Sequence, residues 1–102
     1  MAEHAFHPDA LLEYADATTY YLREASATVA ERFVAAVEAA VASVAASPDR
    51  WRVVEEPGIR RYVFPHCPYV LYYRWDAKQD FVTVFAVMHC SREPGYWKQR
   101  IA

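Results

Sequence analysis

The nine residues from Phe81 to His89, FVTVFAVMH, constrain the fold of this chain more than any other stretch. β-Branched and aromatic side chains dominate it, and apolar residues occupy both alternating positions. Because a half-exposed strand alternates apolar with polar residues, this pattern predicts a strand buried on both faces and central in its sheet. Three polar residues follow closely at the end of this strand, since His89, Arg92 and Tyr96 lie within eight residues. We expect a site at this end of the sheet.

The length and composition predict one small globular unit. A chain of 102 residues has room for one core, so residues 1–102 are expected to form a single domain. Only two glycines leave little material for phosphate-binding loops. No secretory signal or long apolar window is recognisable, which favours a cytoplasmic protein without membrane contact. The two cysteines, Cys67 and Cys90, are too few for a disulfide framework.

The net charge of −2 conceals two halves of opposite sign. Residues 1–49 hold two arginines and eight acidic residues, a charge of −6, whereas residues 50–102 hold nine basic and five acidic residues, a charge of +4. This asymmetry favours an anionic partner for the second half, either a nucleic acid or an acidic polypeptide. Two oppositely charged solvated faces would produce the same pattern.

The first half of the chain predicts a short strand and a helix. Residues 3–6 favour a strand, and the His-Pro-Asp sequence at positions 7–9 is typical of a helix start. We expect this helix to end near Ala25. Its apolar positions at helical spacing, flanked by Leu12, Tyr14 and Tyr21, are Leu11, Ala15, Thr18 and Leu22.

A second helix is predicted to end at Ser47, because Pro48 disfavours the helical conformation in the residue before it. Thr28 and Glu31 have the spacing of a capping box, and Ser26 is an alternative cap. The connection is only a few residues long, so the two helices must form an antiparallel hairpin. The expected buried stripe consists of Ala30, Phe33, Val34, Val37, Val41 and Val44.

The second helix also carries an alanine strip, which consists of Ala35, Ala39, Ala42 and Ala46. Small side chains allow another helix to approach closely. That helix would be either the first helix or one from a partner. We favour packing inside the hairpin, since short helices in small domains need every contact.

The second half of the chain predicts strands. Residues 58–64 and 69–75 are rich in strand formers and are separated by a Pro-His-Cys-Pro turn. Together with the strand from Phe81 they form an antiparallel meander, one face of which the helices must cover. The expected fold class is α+β, with a helical hairpin packed on a small antiparallel sheet. The expected order is β-α-α-β-β-β, followed by a short C-terminal helical turn.

Two blocks of the sequence resemble the ParE/RelE superfamily, the toxins of bacterial type II toxin-antitoxin pairs. The first block is GIRR at 58–61 running on to PYVLYYR at 68–74, similar to the family's double-arginine strand and the tyrosine-ended strand after it. The second is AVMHCSREPGYW at 86–97, which resembles the family's ending of histidine, arginine, proline and tyrosine-tryptophan. With the helical hairpin, the resemblance covers nearly the whole chain. It implies a cognate antitoxin as partner in a hetero-oligomer.

The resemblance implies two activities. ParE-like members act on DNA gyrase and RelE-like members cleave ribosome-bound mRNA, and this ending is often found with ParE. We therefore expect a toxin that inhibits growth by engaging gyrase, with mRNA cleavage on the ribosome as the alternative. A degenerate toxin that only binds its antitoxin is a third hypothesis.

An endoribonuclease needs a base, an acid and cations that hold phosphate. His89 and Tyr96 are the candidate acid-base pair, with Arg60, Arg61 and Arg92 on the phosphate. The chain has only two lysines and a negative net charge, whereas ribosome binding is favoured by positive charge. This argues against cleavage.

Each catalytic candidate also has an ordinary structural alternative. His89 at a strand end can bind backbone groups and fix the turn, and Arg92 can pair with Glu93 or an acidic residue of the hairpin. Tyr96 and the following tryptophan can pack a C-terminal turn against the sheet. Successive strand residues point to opposite faces, so only one of the arginines at 60 and 61 can line the open face.

The expected antitoxin places carboxylates near the basic half and apolar side chains against the hairpin. The His-Cys pairs at 66–67 and 89–90 give little support to a zinc site, because adjacent strand residues diverge. We expect neither a metal nor another cofactor. The residues expected to bind antitoxin or target are Arg60, Arg61, Arg74, Arg92, Tyr20, Tyr21, Tyr96 and Trp97.

Overall fold

The computed structural model describes residues 1–101, which form one five-stranded sheet with two helices on one of its faces. The order agrees with the predicted β-α-α-β-β-β arrangement, with one additional strand and the expected C-terminal turn. The elements are β1 (Glu3–Phe6), α1 (Pro8–Glu24), α2 (Ala27–Ala46), β2 (Val53–Glu55), β3 (Ile59–Val63), β4 (Tyr69–Asp76), β5 (Phe81–His89) and a 3₁₀ turn (Lys98–Arg100).

The strand order across the sheet is β1-β5-β4-β3-β2. β1 pairs with β5 in parallel, and the other three pairs are antiparallel. The helical hairpin thus carries the chain from one sheet edge to the other, and the meander returns to β1. The meander has four strands instead of the predicted three, because β2 is too short to show an alternating pattern. β5 is an interior strand as expected, but the middle strand is β4.

A β-bulge in β5 directs its apolar residues to both faces of the sheet. Val84 pairs with Tyr73 and Ala86 pairs with Tyr72, so Phe85 is the extra residue. The predicted burial on both faces is confirmed, but simple alternation ends at the bulge. Val82, Val84 and Val87 pack toward the helices, whereas Phe85, Ala86 and Met88 pack on the opposite face.

Helix α1 packs on the sheet through a different face from the predicted one. Leu11 and Leu22 are 52% and 55% exposed, and Ala15 is also exposed, so their prediction as core residues was wrong. Tyr14 and Tyr21 instead pack against the core beside Phe33, with ring centroids 5.9 and 5.3 Å away. Helix α1 has two adjacent apolar faces, one with the leucines and one with the tyrosines. It packs on the sheet through the tyrosine face, because these rings contact Phe33.

Helix α2 buries the predicted stripe, apart from Val34, which is half-buried. Its N-cap is Ser26, whose hydroxyl accepts a 3.1 Å hydrogen bond from the Val29 amide. The Thr28–Glu31 capping box was therefore wrong, because Thr28 already lies inside the helix. Neither helix of residues 1–101 combines the length and apolar character needed to cross a membrane.

The alanine strip of α2 lies on the surface. All four of its alanines are exposed, so the expectation that they pack inside the hairpin was wrong. α2 contacts α1 and the sheet through the stripe around Phe33 and Val37, which leaves the strip turned outward. The strip is consequently available to a partner.

Buried side chains form two clusters, one on each face of the sheet. The larger lies under the helices and includes Phe33, Leu71 and Tyr73. The smaller includes Ile59 and Tyr72 together with Trp97. Residues 94–101, here called the C-terminal segment, therefore cover part of the sheet face opposite the helices, here called the second face.

Candidate functional site

The second face carries a cleft where β3, β4 and the C-terminal segment meet. Its volume is about 180 Å³, and its lining includes the side chains of Arg61, Tyr72, Trp97 and Lys98. The Lys98 ammonium lies 3.0 Å from the Glu55 carboxylate, whereas Arg61 is exposed to solvent. The exposed Arg61, beside a lysine that is already paired with Glu55, suits a small anionic group as ligand.

The two consecutive arginines of β3 point to opposite faces, as predicted. The Arg60 guanidinium donates hydrogen bonds to the backbone carbonyls of Asp49 at 3.2 Å and Trp51 at 2.6 Å. Arg60 therefore holds the loop that follows α2. Arg61 is the arginine that lines the open face.

Arg74 is a neighbour of Arg61 on the second face. In the β3–β4 register Arg61 pairs with Tyr72, which lies two residues before Arg74 on the same side of β4. The Arg74 guanidinium lies 5.3 Å from the ring centroid of Phe85. The structure thus places Arg61 and Arg74 on the same face of the sheet and Arg60 on the other.

His89 at the end of β5 fixes the following turn. Its Nδ1 accepts a 3.0 Å hydrogen bond from the Ser91 amide and lies 2.7 Å from the Ser91 hydroxyl. The ring also packs edge-on against Tyr69, with centroids 5.1 Å apart. An accepting Nδ1 places the proton of the neutral ring on Nε2. The predicted structural alternative for His89 is confirmed, and its catalytic role stays a prediction.

Arg92 and Tyr96 lie against each other above helix α1. The Arg92 guanidinium is 3.9 Å from the Tyr96 ring centroid and 3.8 Å from the Glu13 carboxylate. The predicted alternative partner for Arg92, an acidic residue of the hairpin, is thus found. The Arg92 side chain remains 55% exposed, so it can also contact another molecule.

The Tyr96 hydroxyl is enclosed. It is buried and makes no well-formed hydrogen bond within residues 1–101. Burial first, and then the neighbouring Glu13 carboxylate, raise the pKa of this hydroxyl well above its usual value of 10. Tyr96 is therefore neutral at physiological pH and poorly placed to exchange a proton with a bound substrate.

Trp97 anchors the C-terminal segment on the sheet. It is 2% exposed and stacks on Tyr72 with ring centroids 4.4 Å apart. The predicted packing of Tyr96 and Trp97 against the sheet is confirmed. Only the rim of the Trp97 ring is left to line the cleft.

Arg100 and Glu13 complete this region, and sequence reasoning missed both. The Arg100 guanidinium donates to both carboxylate oxygens of Glu13 at 3.0 Å, and its Nε lies 3.9 Å from Asp9. Asp9 and Glu13 are one helical turn apart, which signals a two-carboxylate face on α1. No comparable signal pointed to Arg100, which lies 87 residues from Glu13.

The two tyrosines of the hairpin differ in their accessibility. Tyr20 is 60% exposed, whereas Tyr21 is half-buried and its hydroxyl lies 3.1 Å from that of Tyr69. Tyr20 and the alanine strip can therefore meet a partner directly. Tyr21 contributes mainly to the core.

Metal ligands are not grouped in the part of the chain that the structure describes. Within residues 1–101, no three side chains of histidine, cysteine, aspartate or glutamate converge in a way that could hold a metal ion. Cys67 is half-buried and Cys90 is exposed, and both are free thiols.

The sequence matches the family model described as the ParE toxin of the type II toxin-antitoxin system, parDE, over residues 5–94. The chain therefore belongs to the ParE toxin family, within the ParE/RelE superfamily of type II toxins. No protein of curated function matches it.

Solved structures of the RelE toxin from E. coli have the same fold. Isolated RelE is 21% identical, with a TM-score of 0.62 and 100% of both chains covered. A chain of the intact RelBE toxin-antitoxin complex is 20% identical, with a TM-score of 0.63 over 90% of this chain and 100% of that chain. A free RelE mutant in which two arginines are replaced by alanine is 20% identical, with a TM-score of 0.64 over 98% of this chain and 94% of that chain.

Proposed function

We propose that this ParE-family toxin inhibits growth by binding DNA gyrase and that a cognate antitoxin neutralises it in a hetero-oligomeric complex. The family match over residues 5–94 supports the ParE-like assignment. The likeness to a chain of the RelBE toxin-antitoxin complex supports an antitoxin partner. Both gyrase and the alternative target, the ribosome, act in the cytoplasm, which is the location we propose for this protein.

The burial of the Tyr96 hydroxyl is the observation that favours binding over cleavage. A general acid or base must come within hydrogen-bonding distance of the substrate, and this hydroxyl is enclosed beneath Arg92 and beside Glu13. Arg60, another member of the proposed catalytic set, is held by two backbone carbonyls on the helix-covered face. The set therefore lacks one proton-transfer group and one phosphate-binding group in accessible positions.

A metal-independent mRNA endoribonuclease is the second candidate, and the cleft on the second face favours it. Arg61 and Lys98 at this cleft are cations of the kind that contact the phosphates of nucleic acids. His89 would then act with Tyr96 as the acid-base pair. The catalytic set of His89, Arg92, Tyr96, Arg60 and Arg61 remains a prediction of this alternative.

For the antitoxin we propose a contact surface with two parts. Arg61, Arg74 and Arg92 offer cations to carboxylates of an acidic segment. Tyr20 and the exposed alanine strip offer apolar contact area on the hairpin. Tyr21, Tyr96 and Trp97, which the sequence also suggested as binding residues, contribute only their accessible edges because they are partly or fully buried.

One expression experiment and two assays on the purified protein test the proposal. Expression without an antitoxin is expected to arrest growth, and the protein is expected to inhibit supercoiling by purified gyrase while leaving ribosome-bound mRNA intact. Cleaved mRNA with unchanged supercoiling would instead establish the ribonuclease. Absence of growth arrest would favour a degenerate toxin that only binds its antitoxin.

A further inference from the structure

The Glu13 carboxylate of α1 contacts groups from three other parts of the chain. Its two oxygens accept the Arg100 hydrogen bonds, and Oε1 also accepts a 3.3 Å hydrogen bond from the Val87 amide. Oε2 lies 3.8 Å from the Arg92 guanidinium, and the Tyr96 hydroxyl lies beside the carboxylate. Because Arg100 and the Val87 amide fix the carboxylate, a group that contacts it is held in a defined place.

Arg92 is held on three sides and still reaches solvent. Its amide donates a 2.9 Å hydrogen bond to the His89 carbonyl, which fixes its backbone. Its guanidinium lies over the Tyr96 ring and forms an ion pair with Glu13, its one acidic partner within residues 1–101. The side chain is nevertheless 55% exposed. An exposed arginine ordinarily samples many rotamers, so these contacts order a side chain that would otherwise be mobile.

Glu13 orients Arg92 without neutralising it. Arg100 forms the short bidentate pair with the carboxylate, whereas the 3.8 Å separation from Arg92 is too long for a hydrogen bond. Asp9, the other acidic residue of this group, lies 3.9 Å from Arg100 and is 57% exposed, so water screens its charge. Arg92 consequently keeps a positive charge that it can offer to another molecule.

We propose that Glu13 is a positioning residue, which holds Arg92 over the Tyr96 ring for contact with a carboxylate of gyrase. A guanidinium binds a carboxylate through charge-assisted hydrogen bonds, and one that is already ordered loses less side-chain entropy on binding. The inference rests on the proposed function. It also gives neutralisation a physical basis, because the acidic segment of the antitoxin would cover the same arginine.

NMR relaxation of the arginine side-chain Nε–H groups tests the positioning without any partner. In the wild-type protein we expect the Arg92 group to be ordered on the picosecond to nanosecond timescale and the group of the exposed Arg61 to be mobile. Glu13→Gln should make Arg92 as mobile as Arg61. Asp9→Asn is the matched control, because it removes the same charge one helical turn away and should leave Arg92 ordered.

Inhibition of supercoiling by purified gyrase tests the consequence for binding. Glu13→Gln and Asp9→Asn each remove one negative charge, so a purely electrostatic effect on a carboxylate partner would strengthen inhibition in both variants. We expect instead that Glu13→Gln raises the toxin concentration for half-inhibition about two- to tenfold, whereas Asp9→Asn does not raise it. In an Arg92→Ala background Glu13→Gln should have no further effect, because both substitutions act through one guanidinium.

Arg92→Lys provides a second variant, since Glu13→Gln also touches the contact with the buried Arg100. Lysine at this exposed position keeps the charge and lacks the planar fork of the guanidinium. Arg92→Lys should therefore weaken inhibition nearly as much as Arg92→Ala.

Four results would overturn the proposal. They are an Arg92 side chain as mobile as Arg61 in the wild-type protein, undiminished inhibition by Glu13→Gln, an equal loss when Glu13→Gln is added to Arg92→Ala, and full inhibition by Arg92→Lys. Supercoiling that the wild-type protein leaves unimpaired would contradict the proposed function and the gyrase contact together. The mobility of the Arg92 guanidinium would still decide whether Glu13 positions it.

Discussion

Arg100 and Glu13 join the C-terminal segment to helix α1 through two parallel hydrogen bonds of 3.0 Å. Arg100 also donates a 2.9 Å hydrogen bond to the carbonyl of Phe85, the bulge residue of β5. The side chains of Arg100 and Glu13 are only 9% and 14% exposed. One ion pair therefore connects three elements, and it does so largely out of water.

Removing Arg100 should destabilise the protein strongly. Arg100→Ala leaves the poorly solvated Glu13 carboxylate with only the more distant Arg92 guanidinium as a cationic partner, which should lower the free energy of unfolding by about 3 kcal/mol. Urea denaturation measures this. Lys98→Ala is the control, because its pair with Glu55 is exposed and should contribute less than about 1 kcal/mol. Equal effects of the two substitutions would contradict a special role for Arg100.

Alkaline pH should destabilise the fold through buried tyrosines. Burial raises the pKa of Tyr73 to about 12, although nearby Arg60 lowers it, and the Tyr73 hydroxyl donates a 2.7 Å hydrogen bond to the Pro48 carbonyl. The unfolded chain releases this proton near pH 10, so stability present below about pH 10 should decline as the pH rises toward 12.

The expected slope is about 1.4 kcal/mol per pH unit for each such tyrosine. Urea denaturation at a series of pH values measures this slope. Tyr73→Phe should reduce the slope by the contribution of one tyrosine proton. An unchanged slope in Tyr73→Phe would show that Tyr73 ionises alike in both states.

Phe33→Ala should remove the centre of the helix-covered core. The ring is 4% exposed and lies 4.9 Å from the Tyr69 ring, centroid to centroid, so its loss should cost about 3 to 5 kcal/mol of stability. Leu12→Ala is a suitable control, because Leu12 is 61% exposed and should change stability little. A Phe33→Ala cost below about 1 kcal/mol would mean that the α2 stripe faces a partner.

Substitutions of the two β3 arginines should have different effects, one on antitoxin binding and the other on stability. Arg61→Ala should weaken antitoxin binding, mainly through faster dissociation, as should Arg74→Ala and Arg92→Ala. Arg60→Ala should mainly lower stability, because Arg60 holds the Asp49 and Trp51 carbonyls. Calorimetry with the purified antitoxin measures the affinities. Unchanged affinity for Arg61→Ala, Arg74→Ala and Arg92→Ala would place neutralisation elsewhere.

Sequence patterns predicted the parts of the fold that depend on local chemistry. The bounds of β5 match the prediction, since the run from Phe81 to His89 is continuous and apolar. The end of α2 before Pro48 also matches the prediction, because the effect of proline on the preceding residue is local. The divergence of Arg60 and Arg61 also followed from strand geometry alone.

The features that sequence reasoning missed depend on tertiary contacts. The bulge at Phe85 arises from the pairing of β4 with β5, and periodicity within one strand does not encode it. The buried arc of α1 is decided by rings that meet across the core around Phe33. The contact of Arg100 with Glu13 joins residues at opposite ends of the chain. Such contacts leave no signal in a local window.

The supercoiling activity of purified DNA gyrase, measured with the wild-type toxin and with Tyr96→Phe, tests the central claim most directly. Tyr96→Phe keeps the ring beneath Arg92 and removes a hydroxyl that is buried beside Glu13. Both proteins are expected to inhibit supercoiling to the same extent, and neither is expected to cleave ribosome-bound mRNA. Unimpaired supercoiling, together with mRNA cleavage that Tyr96→Phe abolishes, would contradict this claim.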